Sequence, residues 1–193
     1  MNPIFGAALE LQTFCTEQGW RFCFIGAVAV QRWGEQRLTL DVDLTLLTGL
    51  GEEQRFVDRL LEAFSGRRDD ARDFALRYRV LLLESGAGIP LDVALGAMPF
   101  EERAVGRASP FEIDAEQTLL TCSAEDLIVF KTFAGREKDW LDIRGVVDRQ
   151  SGQLDEALIL RELEPLLELK ETPAAADRLR GLLAGARSED PGA

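Results

Sequence analysis

The chain has 193 residues, 46% hydrophobic and 29% charged, with a net charge of −12. That length supports one sizeable core with helical additions but not two full domains. The acidic balance does not favour sequence-blind binding to a phosphate backbone, and the lack of histidine excludes imidazole catalysis, Ser-His-Asp triads and His-ligated metals.

Phe5, Leu9, Leu11, Phe14 and Cys15 recur at near-helical spacing before Gly19, which predicts an opening helix over 4–18. Residues 21–25 predict a short apolar strand. Gly26-Ala27 breaks it, and 28–33 predicts a short helix ending at Gly34. Residues 40–47 alternate apolar and polar side chains, which predicts a strand with Asp41 and Asp43 on one face. An amphipathic helix is expected over 51–66, through Phe56, Val57, Leu60, Leu61 and Phe64.

Residues 79–84 and 89–95 predict two strands of a hairpin around a turn at 85–88, with Pro90 suited to a strand end or edge. The remainder reads as mainly helical. Ser123-Ala124-Glu125-Asp126 is an N-cap signature for a helix reaching about Arg136, and further helices are expected over 137–149, 154–170 and 174–185. This order predicts an α+β fold: a mixed β-sheet flanked by helices, then a C-terminal helical bundle. The expected organisation is an α+β core over 1–120, a helical part over 121–187 packed on it, and a disordered tail over 188–193.

The opening Met1-Asn2-Pro3-Ile4-Phe5 carries neither a basic n-region nor a long apolar h-region, and no apolar run approaches the roughly 18 residues that span a bilayer. A soluble, cytoplasmic protein with no membrane or duplex-DNA partner is expected. Cys15, Cys23 and Cys122 are odd in number and lack Cys-x-x-Cys spacing, so buried free thiols are expected.

The chemistry-bearing constellation is acidic. Asp41 and Asp43 share a strand face, and Asp92 lies in another strand between Leu91 and Val93. Three carboxylates brought together without a counter-ion are costly, and Mg²⁺ would remove the cost with hard oxygen ligation. Two such ions suit phosphoryl transfer. A lone Asp-x-Asp is more often a solvated strand face. Here it follows strand, Gly, short helix and Arg37-Leu38-Thr39, and it has a later apolar-Asp-apolar partner.

Residues 24–34 (Phe24-Ile25-Gly26-Ala27-Val28 through Gly34) and 37–44 (Arg37 through Asp41-Val42-Asp43-Leu44) resemble the opening motifs of the polymerase β-like nucleotidyltransferase superfamily. The nearest likeness is to AbiEii-type toxin nucleotidyltransferases and their relatives. The resemblance implies a nucleotidyltransferase-type fold. It also implies transfer of a nucleoside monophosphate from NTP to an RNA or protein acceptor, in a toxin-like role with an antitoxin-like partner protein. It makes Asp41, Asp43 and Asp92 the catalytic metal ligands, with Mg²⁺, two ions, as cofactor and NTP as substrate. Gly26 and Ala27 become nucleotide-binding positions. Ala27 departs from the family pattern, which has Gly or Ser there, and a methyl cannot bond a phosphate as a Ser hydroxyl can.

A second run, Lys131 followed by Arg136-Glu137-Lys138-Asp139-Trp140-Leu141-Asp142, resembles the helical half of the same toxins. By that resemblance Lys131 contacts nucleotide phosphate, and Asp139 supports the site or orients Lys131. Gly135 either lies within one helix or separates two. Arg67-Arg68 and the pair Arg77 and Arg79 read as solvated surface. Trp20, Trp33 and Trp140 read as core or core-edge aromatics. The alternative function is a nucleotidyltransferase-fold module that has lost catalysis and binds nucleotide, RNA or a partner protein. An Asp-x-Asp glycosyltransferase is disfavoured, because only 40 residues precede Asp41.

Overall fold

The computed structural model describes residues 2–36 and 38–189. They divide into two compact units, one formed by 2–28 and 38–122 and the other by 29–36 and 123–189.

In the first unit, α1 (Pro3–Glu17) opens with Asn2 as N-cap, its side chain accepting from the Ile4 amide, and with a proline in the first turn. Proline lacks the N–H that a first turn leaves unpaired anyway. Next come β1 (Phe22–Phe24), α2 (Gly26–Trp33), which runs across the division between the units, and β2 (Val42–Leu47). They are followed by α3 (Glu53–Ala63), β3 (Ser65–Gly66), α4 (Ala71–Tyr78), β4 (Val80–Glu84) and β5 (Pro90–Gly96). The unit closes with α5 (Pro99–Arg107), β6 (Ser109–Glu112) and β7 (Thr118–Thr121). The strands form one mixed sheet in the order β3-β4-β5-β2-β1-β7-β6, parallel where β2 meets β5 and where β1 meets β7.

Period-2 alternation gives this sheet two different faces. Val42, Leu44 and Leu46, with Leu81, Leu83, Leu91, Val93 and Leu95, are buried against Leu11 of α1, Phe56, Val57 and Leu60 of α3, and Ala71 and Ala75 of α4. Asp43, Thr45 and Asp92 occupy the alternate positions on the other face. Pro90 stands at the first residue of β5, where it removes no interior ladder bond.

The second unit is helical: α6 (Ala124–Ala134), α7 (Glu137–Arg149), α8 (Glu156–Leu169) and α9 (Ala174–Glu189). Ser123 caps α6 by accepting from the Asp126 amide, as its capping signature predicts. Gly135, left-handed at φ +72°, ends α6, so the run from Lys131 to Asp142 lies on two helices. The segment 29–36 belongs here through bonds from Arg149 to the Gly34 carbonyl (2.7 Å) and from Gln150 to the Trp33 carbonyl (3.1 Å).

The expected α+β order is present, with three corrections. The helix expected over 51–66 stops at Ala63, and a further helix, α4, follows β3. Residues beyond 95 are not uniformly helical: β6 and β7 pair antiparallel, and Pro110 is tolerated because β6 is an edge strand. The last helix runs to Glu189, into the stretch expected as a disordered tail, whose residues 190–193 lie outside the described residues, as does Arg37. All three cysteines are free and buried. No helix among the described residues is long and apolar enough to cross a membrane.

Candidate functional site

The sheet register draws the acidic residues together. Asp43 and Asp92 are direct partners across the parallel β2–β5 ladder, so neighbouring strands about 4.8 Å apart carry one carboxylate each at the same height. Asp41 stands one residue before β2. Its carboxylate accepts from the hydroxyl of the buried Thr39 at 3.2 Å, and so does its backbone carbonyl. All three aspartates are half-buried. Burial pushes the Asp92 carboxyl above its ordinary value and the negative charge of Asp41 adds to the rise, while Arg67 opposes it.

Gly26 forms the back of this cluster. It has φ +55°, and a Cβ built on it would lie 2.6 Å from Asp43 Cγ and 2.7 Å from Asp43 Cβ. No other residue type fits without displacing Asp43. The amide of Ile25 donates to the Asp43 carbonyl at 3.0 Å, which ties the start of α2 to the acidic strand. Ala27 follows, with its methyl buried.

Two observations fit a hard divalent cation. The donors are carboxylate oxygens, which Mg²⁺ prefers, and the bare Cα of Gly26 gives the Asp43 carboxylate the room to stand among them. The buried Thr45 hydroxyl, one strand repeat beyond Asp43 on the same face, has no hydrogen-bond partner, and buried polar groups normally have one. Among the described residues, however, no three His, Cys, Asp or Glu side chains stand together as a ready-made metal set. One Asp92 oxygen instead meets the guanidinium of Arg67.

In the helical unit, Lys131 is buried. Its Nζ donates to Asp142 at 2.7 Å and lies 3.5 Å from Asp139. Asp139 also accepts from the Arg136 amide and guanidinium. Burial would raise the Asp139 carboxyl, but the hydrogen bond from Arg136 and the charges of Lys131 and Arg136 outweigh it and hold the group below its ordinary value. The sequence motif is therefore a charge cluster across the α6–α7 junction, in which Asp142 is the nearer partner of Lys131 and Asp139 is shared with Arg136.

Two arginines read as surface from the sequence have defined partners. Arg67 pairs with Asp92, and Arg79 bonds Glu53, the Thr48 hydroxyl and the carbonyls of Gly49 and Leu95. Neither sits in a periodic run, and only strand register brings these partners near. Thr39 was recognisable in sequence as part of the motif context, but its bond to Asp41 was not.

No protein-family model and no curated protein matches the chain. Solved structures do. An antigenic nucleotidyltransferase-like protein from Paracoccidioides brasiliensis shares 16% identity over 91% of this chain and 91% of that one, with a TM-score of 0.51. The antibiotic-resistance factor ANT(2'')-Ia shares 14% identity over 94% of this chain and 98% of that one, with a TM-score of 0.53. At such identities the likeness is one of fold, and the fold of this chain is of the nucleotidyltransferase type.

Proposed function

We propose that this chain is a metal-dependent nucleotidyltransferase that moves a nucleoside monophosphate from NTP to a hydroxyl of an RNA or protein acceptor, releasing pyrophosphate. One observation carries it: Asp43 and Asp92 are register partners across the parallel β2–β5 ladder. Asp41 is close enough to shift Asp92, and Gly26 is packed against Asp43. The nucleotidyltransferase-type fold supports the same reading.

In this reading Asp41, Asp43 and Asp92 would hold Mg²⁺, which when bound would offset the triphosphate charge and make the attacking hydroxyl more acidic. The motif resemblance gives Gly26 and Ala27 a phosphate-binding role at the start of α2, where unpaired N–H groups favour an anion. By the motif resemblance Asp92 would help deprotonate the attacking hydroxyl. Lys131 and Asp139 keep the roles that motif resemblance gives them, a phosphate contact and its orientation. The same resemblance, to AbiEii-type toxins, supports a toxin-like role with an antitoxin-like protein partner.

A second reading, a fold that binds nucleotide, RNA or a protein without catalysis, is favoured by Ala27, whose buried methyl offers no hydroxyl to a phosphate. Calorimetric titration of NTP with and without Mg²⁺ separates the two, on wild type, Asp43→Ala and Lys131→Ala. Binding that needs both the metal and Asp43, with weaker NTP affinity in Lys131→Ala, supports the enzyme. Absence of binding by wild type overturns it in favour of the second reading.

A further inference from the structure

We propose that Arg67 is a resident counter-cation of the acidic site, which a divalent ion must displace from Asp92 in order to bind. This rests on the reading of Asp41, Asp43 and Asp92 as metal ligands.

The geometry is a single row across four strands. The Arg67 amide, just past β3, donates to the Leu82 carbonyl at 3.0 Å. Leu82 is the register partner of Asp92, and Asp92 is the partner of Asp43. Arg67 thus begins two strand spacings from Asp92, about 10 Å, and its guanidinium crosses the uncharged Leu82 position to reach a carboxylate oxygen. Arginine has the reach and the fork for this, and lysine offers a shorter point charge.

The electrostatics give the contact a purpose. Asp92 and Asp43 face the same side of adjacent strands, and Asp41 adds a third negative charge. Without a metal, the Arg67 guanidinium offsets part of that repulsion. When a divalent ion arrives, Arg67 becomes a like charge next to it. Both side chains of the pair are about one-third exposed, 30% and 32%, so the pair is only partly shielded from water and opens at smaller cost than a fully buried one. Arg67 therefore lowers the affinity of the site for a bare divalent ion.

The test is Mn²⁺ binding without nucleotide, read from the free-ion electron paramagnetic resonance signal. The proteins are wild type, Arg67→Met, Arg67→Lys and each combined with Asp43→Asn. Arg67→Met should bind Mn²⁺ about threefold tighter than wild type, the range expected for losing one partly exposed ion pair. Arg67→Lys should fall between, and Asp43→Asn should remove binding in every background. Asp43-dependent binding of equal or lower affinity in Arg67→Met overturns the role of Arg67 and leaves the metal site standing. No Asp43-dependent binding in any of the proteins overturns both. Arg67 is exposed, so both substitutions should preserve the fold, checked by matching thermal melts.

Discussion

Gly26 and Asp43 are locked together: the space where a Gly26 side chain would begin is filled by the Asp43 carboxylate, and Gly26 itself holds a left-handed backbone. Gly26→Ala should therefore suffer twice, through the unfavourable φ and through overpacking, and lose roughly 2–4 kcal/mol of folding stability. Urea denaturation measures it. A loss below about 0.5 kcal/mol, the size of an ordinary surface change, would mean that the two residues do not meet in this way.

Asp43 should link stability to metal. A ligand that binds only the folded state stabilises it by about 2.7 kcal/mol at a concentration one hundredfold above its dissociation constant. Wild type should melt at a higher temperature in Mg²⁺, and Asp43→Asn should show no such rise while remaining folded. An equal rise in the variant would show that any bound Mg²⁺ sits elsewhere.

Lys131 lies between Asp139 and Asp142 in a buried setting. Removing the cation alone leaves carboxylates facing each other out of water, so Lys131→Met should cost about 3–5 kcal/mol. Equilibrium unfolding checks this. A cost within the range of a surface ion pair, about 1 kcal/mol or less, would show that the cluster is well solvated.

Asp139 should make the fold acid-sensitive. Its folded-state carboxyl lies below the ordinary value of 3.8, because Arg136 and Lys131 favour the ionised form over the opposing effect of burial. The stabilisation is fully present above the unfolded value and is lost as pH falls through the lower folded one. The stability difference between wild type and Asp139→Asn should be constant from neutrality to about pH 5 and shrink below the ordinary carboxylate value. A difference that grows on acidification would reverse the sign assigned here.

The thiols should be silent in the native protein. Cys15, Cys23 and Cys122 are buried, and burial pushes the Cys15 thiol up to about 12. A colorimetric thiol reagent at pH 8 should label none of them until denaturant is added, then all three. Fast labelling of the folded protein would expose at least one.

Much of this protein is legible in its sequence because the signals are local. Asp43 alternates with apolar neighbours, so its strand face is set locally, while Asp41, expected on the same strand, stands one residue before β2. The turn after β1, the β4–β5 hairpin and the Ser123 cap announce themselves within a few residues. Short or half-exposed elements do not: α4 has eight residues, and β6 is an edge strand containing a proline. Their stability comes from what they pack against rather than from their own periodicity.

The sequence by itself determined which residues can do chemistry and which strand faces carry them. Only the tertiary structure decided which of them meet. Asp92 is 49 positions from Asp43 in the chain, and parallel pairing of β5 with β2 puts them side by side. Arg67 reaches Asp92 only because β3, β4 and β5 are in register. Gly26 needs its bare Cα because Asp43 folds onto it. Strand register is a long-range property, set by how the hydrophobic faces are buried together, and no local window of residues contains it.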